Sequence, residues 1–296
     1  MLKAGVAGAG VFGGYHARKY ADLDGVTITA VYDHDLHHAE RLAKPLGARG
    51  FDDFEAFLAT VDLVTVATPA DSHAALAARA LDAGKSVYVE KPLAVTREEA
   101  QALTRVARAS ALTLACGHQE RAVFEAMGLF DLGQAPTRIA AVRRGTPSER
   151  NRDVSCVLDL MIHDLDLAAA LAGSGAASVT AKGTYDEVRA EIVFASGLRA
   201  RFEASRIAEK RERTMSLAFE SGLVEVDFLA PSFRNTTDER LDPDFTASPG
   251  GADPLGTSVA RFVAAVRGET WRPLATGEEG AKALDLALAV EKAAGL

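Results

Sequence analysis

Along its first 120 or so positions the chain alternates short apolar runs with amphipathic stretches. Residues 2–7 are mostly apolar and short enough for a buried parallel strand, and residues 15–23 read as a helix. Residues 26–32 are rich in β-branched side chains and end on Asp33. Residues 61–67 form the next strand, followed by Thr68, Pro69 and an alanine-rich helix to residue 83, which Gly84 closes. A strand at 86–89 runs into Glu90-Lys91-Pro92, a helix spans 97–109, and a further strand covers 113–116. Strand and helix in strict alternation predict a doubly wound parallel sheet.

From residue 137 the pattern changes. A strand at 137–143 precedes a long, almost wholly apolar helix at 154–172. Strands at 187–194 and 198–204 then flank one Ser-Gly turn, and strands at 215–220 and 223–229 flank another at Ser221-Gly222. Residues 230–254, rich in Pro, Asp, Thr and Asn, read as a long loop, and helices at 255–267 and 278–294 end the chain. The expected fold is an α/β Rossmann doubly wound parallel sheet followed by an α+β domain with an open, mainly antiparallel sheet. The expected boundary puts a nucleotide-binding domain in 1–120 and a substrate and oligomerisation domain in 121–296, with the last helix free to pack back on the first. An open sheet leaves one face to cover, so a homodimer or homotetramer through that sheet is expected.

Bulk properties narrow the function. The 296 residues are 48% hydrophobic and 25% charged, as in a water-soluble globular protein, and the net charge of −8 argues against a nucleic-acid surface. Two cysteines, Cys116 and Cys156, are too few for a disulfide framework and are not spaced as metal ligands. The first strand begins almost at Met1, no apolar run is long enough to cross a bilayer, and no metal is expected. A reducing cytoplasm is the expected compartment.

The first strand leads directly into Gly8-Ala9-Gly10-Val11-Phe12-Gly13. In such a loop the first glycine permits the turn, the second lets backbone amides approach a pyrophosphate, and the third lets helix and strand pack closely. The phosphates lie at a helix N-terminus, where unpaired N–H groups and the dipole favour negative charge. Asp33, twenty positions after Gly13, is placed to accept hydrogen bonds from both ribose hydroxyls of NAD and to repel the 2′-phosphate of NADP. His34 and Asp35 offer no guanidinium to reverse that preference. The same Asp33 is also compatible with a turn or helix-capping role.

The long helix carries a second constellation. At about 100° per residue, Asp159, His163 and Asp166 share an arc of roughly 60° on an otherwise apolar helix. No lysine or arginine occurs between Arg152 and Lys182, so the stripe predicts a wet cavity, unpaired charge being costly to bury. Asp159 and His163 stand four residues apart, the spacing at which a carboxylate raises an imidazole's basicity and fixes its tautomer for general-base work. A solvated face of a surface helix is the plain alternative. Lys91, at the carboxyl end of a parallel strand, is placed to steady a developing alkoxide, or is a surface lysine before Pro92.

Together, the Gly8–Gly13 loop, Ala67-Thr68-Pro69 with His73, Glu90-Lys91-Pro92 and the Asp159, His163, Asp166 pattern resemble the Gfo/Idh/MocA oxidoreductase family over essentially the whole chain. The resemblance implies that Lys91 and His163 flank the reacting carbon and that Asp159 orients His163. It implies that Thr68, Pro69, His73 and Glu90 line the nicotinamide side of the cofactor cleft, and that the Lys91–Pro92 peptide is often cis. Ser155, Cys156 and Met161 stand where relatives often carry glycines. Residues 117–121 and 157–166 further resemble the branch that oxidises nucleotide sugars of the UDP-N-acetylglucosamine type at C3. Arg121 and Arg150 then join Lys91, Asp159 and His163 as expected substrate-binding residues. The Arg143, Arg144, Arg150, Arg152 cluster is either a guanidinium fork for two phosphates or a solvated basic loop. The expected activity is NAD-dependent oxidation of a secondary hydroxyl of a sugar or nucleotide sugar. A reductase or dehydrogenase of another small sugar, polyol or diol, and a non-enzymatic NAD sensor, remain as alternatives.

Overall fold

The computed structural model describes residues 1–148 and 153–296. Two compact units divide the chain: Met1–Gln119 with Asp253–Ala281, and Glu120–Ala252 with Lys282–Leu296.

The first unit is built on six strands: β1 (Leu2–Ala7), β2 (Val26–Tyr32), β3 (Arg49–Phe51), β4 (Leu63–Val66), β5 (Ser86–Val89) and β6 (Leu114–Cys116). Their order is β3-β2-β1-β4-β5-β6 and every pairing is parallel. The order reverses between β1 and β4, the crevice where ligands settle in open α/β sheets. The helices joining these strands are α1 (Val11–Ala21), α2 (Leu36–Ala43), α3 (Phe54–Leu58), α4 (Ala70–Asp82) and α5 (Arg97–Ala109). Local chemistry fixes their ends. Asp35 caps α2 through the His37 amide, and Thr96 with Glu99 forms a reciprocal capping box on α5. Gly84, with φ +73°, supplies the left-handed step after α4.

The apolar strands bury Ala4, Val6, Ile28 and Leu63 with Tyr20 of α1. Tyr20 remains compatible with that core because its hydroxyl pairs with Thr65 at 2.8 Å. The same core takes in α9 (Pro254–Val266), whose Val259, Phe262 and Val263 are buried in it, and Ser258 of that helix meets the Tyr88 hydroxyl at 3.0 Å. The chain thus returns to its first sheet after completing most of the second unit.

The second unit holds a sheet of seven strands in the order β13-β12-β11-β7-β10-β9-β8. They are β7 (Arg138–Arg144), β8 (Ala176–Gly183), β9 (Glu187–Phe194), β10 (Arg199–Ser205), β11 (Glu212–Ala218), β12 (Leu223–Asp227) and β13 (Ser232–Asn235). All pairings are antiparallel except β7 with β10, which is parallel. Alternation along β9, β10 and β12 buries one face, including Val188, Ala190, Ile192, Phe202, Val224 and Val226, while the other carries arginines and glutamates.

Three local expectations change. Residues 230–254 are not one long loop: they contain β13, a turn of 3-10 helix at Phe245–Ala247 and α8 (Pro249–Ala252). Their polar composition hides Phe233 and Phe245, whose rings pack 5.8 Å apart. Strand β8 and helix α6 (Glu120–Met127) carry too little periodicity to read. The long helix expected at 154–172 begins as a π-helical segment, Val157–Met161, before continuing as α7 (Ile162–Ala172). A π-turn has i→i+5 bonds, so the 100° wheel does not apply across that segment. Ser155, where relatives often have glycine, sets this start: its Oγ accepts from the amides of Val157 and Leu158 and donates to Glu291.

Phe262 lies fully inside the first unit's core. Phe262→Ala is expected to lower unfolding stability by about 3–5 kcal/mol, read by urea denaturation of the intact chain.

Candidate active site

The loop between β1 and α1 has one glycine for each of three constraints. Gly8 has φ +102°, and a Cβ there would lie 2.5 Å from the Ala67 carbonyl oxygen, so the end of β4 leaves no room for another residue. A Cβ on Gly13 would collide with the Gly8 carbonyl oxygen. Gly10 differs: a Cβ added there meets nothing within 4 Å. It is the N-cap of α1, with no side-chain cap and no acidic residue in the first turn, and Val11 and Phe12 beside it are exposed. An open cradle at an uncapped helix N-terminus fits a pyrophosphate.

Asp33 ends β2 beside this cradle. Its Oδ2 accepts from the Ala9 amide at 2.8 Å and its Oδ1 from the Asp35 amide at 3.1 Å. The carboxylate is therefore locked against the loop, and the capping of α2 falls to Asp35 instead. The residues present fit NAD, with ribose hydroxyls donating to Asp33.

Thr68, Pro69, Glu90 and Lys91 follow the carboxyl ends of β4 and β5, on the same edge as the glycine loop. Pro69 is the N-cap of α4, and Ser72 donates to the Thr68 hydroxyl at 2.7 Å. The buried ring of His73 lies between two carbonyls, Nδ1 2.7 Å from Pro92 and Nε2 2.9 Å from Thr68. Burial holds its pKa below the usual imidazole value, outweighing those carbonyls and the Glu90 charge. His73 thereby ties the β4 loop to the Lys91–Pro92 turn, whose peptide is cis.

The Glu90 carboxylate is buried beneath this turn. His16 Nε2 lies 2.7 Å from Oε1, Gln119 donates to Oε1 at 3.0 Å, and the Lys91 amide donates to Oε2 at 3.3 Å. Burial alone raises its pKa, but the His16 bond and the charges of His16, Lys91 and His73 leave it below the usual carboxylate value. His16, fully buried on α1, is absent from the sequence expectations. Its signal was a histidine on the inner face of a helix otherwise filled by Gly13, Ala17 and Tyr20.

In the second unit the cations missing from the long helix arrive from elsewhere. Arg121 of α6 holds Asp166 by two hydrogen bonds of 2.7 Å, both side chains buried. Arg143 of β7 holds Asp164 through Nε and Nη2 at 3.0 and 2.8 Å. The expected wet stripe is therefore corrected at Asp166, which is buried against the Arg121 guanidinium, as its neighbour Asp164 is against Arg143; what the sequence lacks locally the fold supplies from distant segments.

The third arm of Arg143, Nη1, donates to Glu120 Oε1 at 2.9 Å, and Glu120 Oε2 lies 2.7 Å from His163 Nδ1. Burial raises the Glu120 pKa, yet His163 and Arg143 together hold it well below the usual carboxylate range. Glu120 thus stays ionised and favours a proton on Nδ1, leaving Nε2 of His163 with a lone pair. Sequence reasoning missed Glu120, which sits 43 residues from His163 with no shared periodicity to announce it. Asp159 lies in the π-helical segment and is buried.

Of the expected phosphate cluster, Arg143 is committed to Asp164 and Glu120, and Arg144 pairs with Glu203 and Glu212. These two are corrected to structural roles, their forks being filled by carboxylates of the fold. Arg150 and Arg152 lie outside the described residues. Both cysteines are buried, and burial pushes the Cys156 thiol up to about 12, far from a nucleophilic thiolate at neutral pH.

Residues 2–118 match the model of an oxidoreductase family with an NAD-binding Rossmann fold, Gfo/Idh/MocA. The chain is 35% identical over 237 residues to UDP-N-acetylglucosamine 3-dehydrogenase of Acidithiobacillus ferrooxidans, covering 77% of this chain and 74% of that one. The chain belongs to the Gfo/Idh/MocA family. Inositol 2-dehydrogenase of Rhizobium meliloti is 30% identical over 232 residues, covering 70% of this chain and 69% of the relative. A solved structure of the Acidithiobacillus enzyme superimposes with a TM-score of 0.88, 30% identity and coverage of 99% and 97% of the two chains. This member of the family is an NAD-dependent oxidoreductase acting on CH–OH groups, with a Rossmann sheet followed by a mainly antiparallel one.

Because Gly10 has open space and Gly13 has none, the two glycines separate binding from folding. Gly10→Ala is expected to weaken NAD binding by about tenfold or more, measured by calorimetry, with little change in melting temperature. Gly13→Ala is expected to lower melting temperature markedly.

Proposed function

We propose that this enzyme oxidises a secondary hydroxyl of a nucleotide sugar of the UDP-N-acetylglucosamine type, at C3, to the ketone. The observation that carries the catalytic reading is the Arg143–Glu120–His163 relay, in which an ionised carboxylate holds the imidazole through Nδ1. The 35% identical relative supports the substrate class.

NAD, when bound, supplies the hydride acceptor. His163 removes the hydroxyl proton at Nε2 as the carbon gives up its hydride, and the adjacent Glu120 carboxylate stabilises the imidazolium that forms. Arg143 stops Glu120 from taking that proton itself. Lys91 donates to the same oxygen while it carries negative charge, and becomes a donor to the ketone afterwards. Glu90, anchored by His16, fixes the backbone from which Lys91 projects. Asp159 joins the substrate side of the site in the family pattern, with Arg150 as a further substrate contact; Arg121, expected in the same role, has its fork filled by Asp166 and holds the fold instead.

The exposed face of the second sheet supports assembly. Around the small side chains of Ala140 and Ser216 it carries paired charges, Arg201 with Glu191 and Arg189 with Glu203. A second copy packing on this face makes a homodimer, or a homotetramer by a further contact. Sedimentation should give a multiple of the monomer mass; a monomer at micromolar concentration would rule this out. Among the described residues no helix is long and apolar enough to cross a membrane. The two buried free thiols fit the cytoplasm.

NADH formation with UDP-N-acetylglucosamine, tested beside free N-acetylglucosamine and myo-inositol, checks the substrate. Turnover of myo-inositol alone would favour the inositol dehydrogenase branch, to which the Rhizobium relative belongs. His163→Ala and Lys91→Ala are each expected to lower kcat by on the order of 10²–10⁴-fold with NAD binding retained. Glu120→Gln removes the charge that favours the imidazolium. The acidic limb of its pH–kcat/KM profile should therefore move to lower pH, while the maximal rate falls. An unmoved limb would contradict the relay.

A further inference from the structure

Among the described residues, the arginines that carry the Glu120–His163 pair and its flanks are matched to carboxylates. Arg121 has Asp166, Arg143 has Asp164 and Glu120, and Arg144 has Glu203 and Glu212. Arg213 of β11 has none: among the described residues no carboxylate makes an ion pair or hydrogen bond with its guanidinium.

The position makes this costly. In the β7–β11 ladder Arg213 stands directly opposite Arg143. Side chains alternate along a strand, so Arg213 shares the face of Met215 and Leu217, which are buried on the helix-covered side of the sheet. Two guanidinium groups therefore face each other across adjacent strands, where like charges destabilise. The carboxylates nearby are already engaged by Arg143. Arg213 is half-buried, and burial together with the charges of Arg143 and Arg211 holds its pKa below the usual arginine value; Glu120 and Asp164 offset this only in part.

Two neighbouring guanidinium groups, one of them without a carboxylate among the described residues, favour an anion between them. We propose that Arg213 is a substrate-recognition residue that binds a phosphate of the nucleotide-sugar substrate. This replaces the role that the spacing of Arg143 and Arg144 suggested, since their forks are filled from within the protein. The placement ties recognition to chemistry. Glu120 is among the charges that Arg213 feels, and the same Glu120 holds His163, so a phosphate on Arg213 is bound within electrostatic reach of the base. A planar guanidinium suits phosphate oxygens by paired N–H donors, whereas an uncharged polyol gains little from it.

The assignment rests on the substrate reading of the His163 unit given above, and binding measurements test it apart from turnover. Isothermal titration calorimetry of the NAD-loaded enzyme with UDP should show Arg213→Gln weakened by about 10–100-fold relative to wild type, with Arg213→Lys intermediate. In steady state the loss should appear in KM for UDP-N-acetylglucosamine, with kcat nearly unchanged. The dependence of UDP affinity on salt should be shallower in Arg213→Gln. A sugar carboxylate as the true anion would instead appear as glucuronate binding that depends on Arg213 while UDP binding does not, and would overturn the phosphate assignment. Equal UDP affinity in wild type and Arg213→Gln, or no UDP binding to wild type, would overturn it as well. If wild type binds UDP through Arg213 yet oxidises only inositol, the anion site stands and the nucleotide-sugar oxidation does not. Should Arg213→Gln misfold, the Arg213→Lys titration decides, because it keeps the charge and loses only the planar fork.

Discussion

A fully buried guanidinium is expensive to desolvate and is tolerated when every donor edge meets an acceptor. Arg143 meets that condition, with two edges on Asp164 and one on Glu120. This one residue joins a central strand, the start of α6 and the first turn of α7. It also sets the chemistry, because Glu120 bonded to it cannot readily accept a proton and passes only charge and orientation to His163. Losing Arg143 would leave buried Asp164 and half-buried Glu120 without their counterion, so packing and reactivity are coupled through it. The same constraint explains the neighbour it leaves unmatched: once its carboxylates are taken, Arg213 opposite has no carboxylate partner among the described residues.

The first unit solves a different problem. It must hold a dinucleotide anion with backbone groups and then aim a lysine. Strand β1 ends in a loop closed by Gly8 and Gly13, where steric contact forbids side chains, and opened at Gly10, where nothing fills the space. Asp33 is clamped by two backbone amides, so its orientation does not wait for the ribose. The Glu90–His16 and His73 contacts work beneath and beside the Lys91–Pro92 turn, using buried imidazoles as rigid struts. Preorganised polar groups of this kind limit the entropy lost when ligands bind.

The linear chain already contained much of this. Local rules place β1, β2, β4, β5 and β6, the glycine loop and Asp33, because each depends on neighbours within about one helical turn or on the apolar run of a single strand; the three-residue β3 and the caps at Asp35 and Thr96 were not read. His163 and Lys91 stand out chemically in the linear chain, one on a nearly apolar helix and one after a strand. Strand β8, with no residue fully buried, and the polar segment holding β13 left no such trace.

What only the tertiary structure decided is which charge meets which. The sequence showed an acidic helix without a basic residue and inferred water; the fold brings Arg121 and Arg143 from other elements and makes those carboxylates structural. It put Glu120 on the imidazole, and it began the long helix as a π-turn at Val157–Met161. The return of α9 to the first core was equally invisible. Propensity and periodicity act over a few residues and so are written locally. Ion pairing in a buried site acts between segments tens of residues apart, and its partners are set by where the backbone places them.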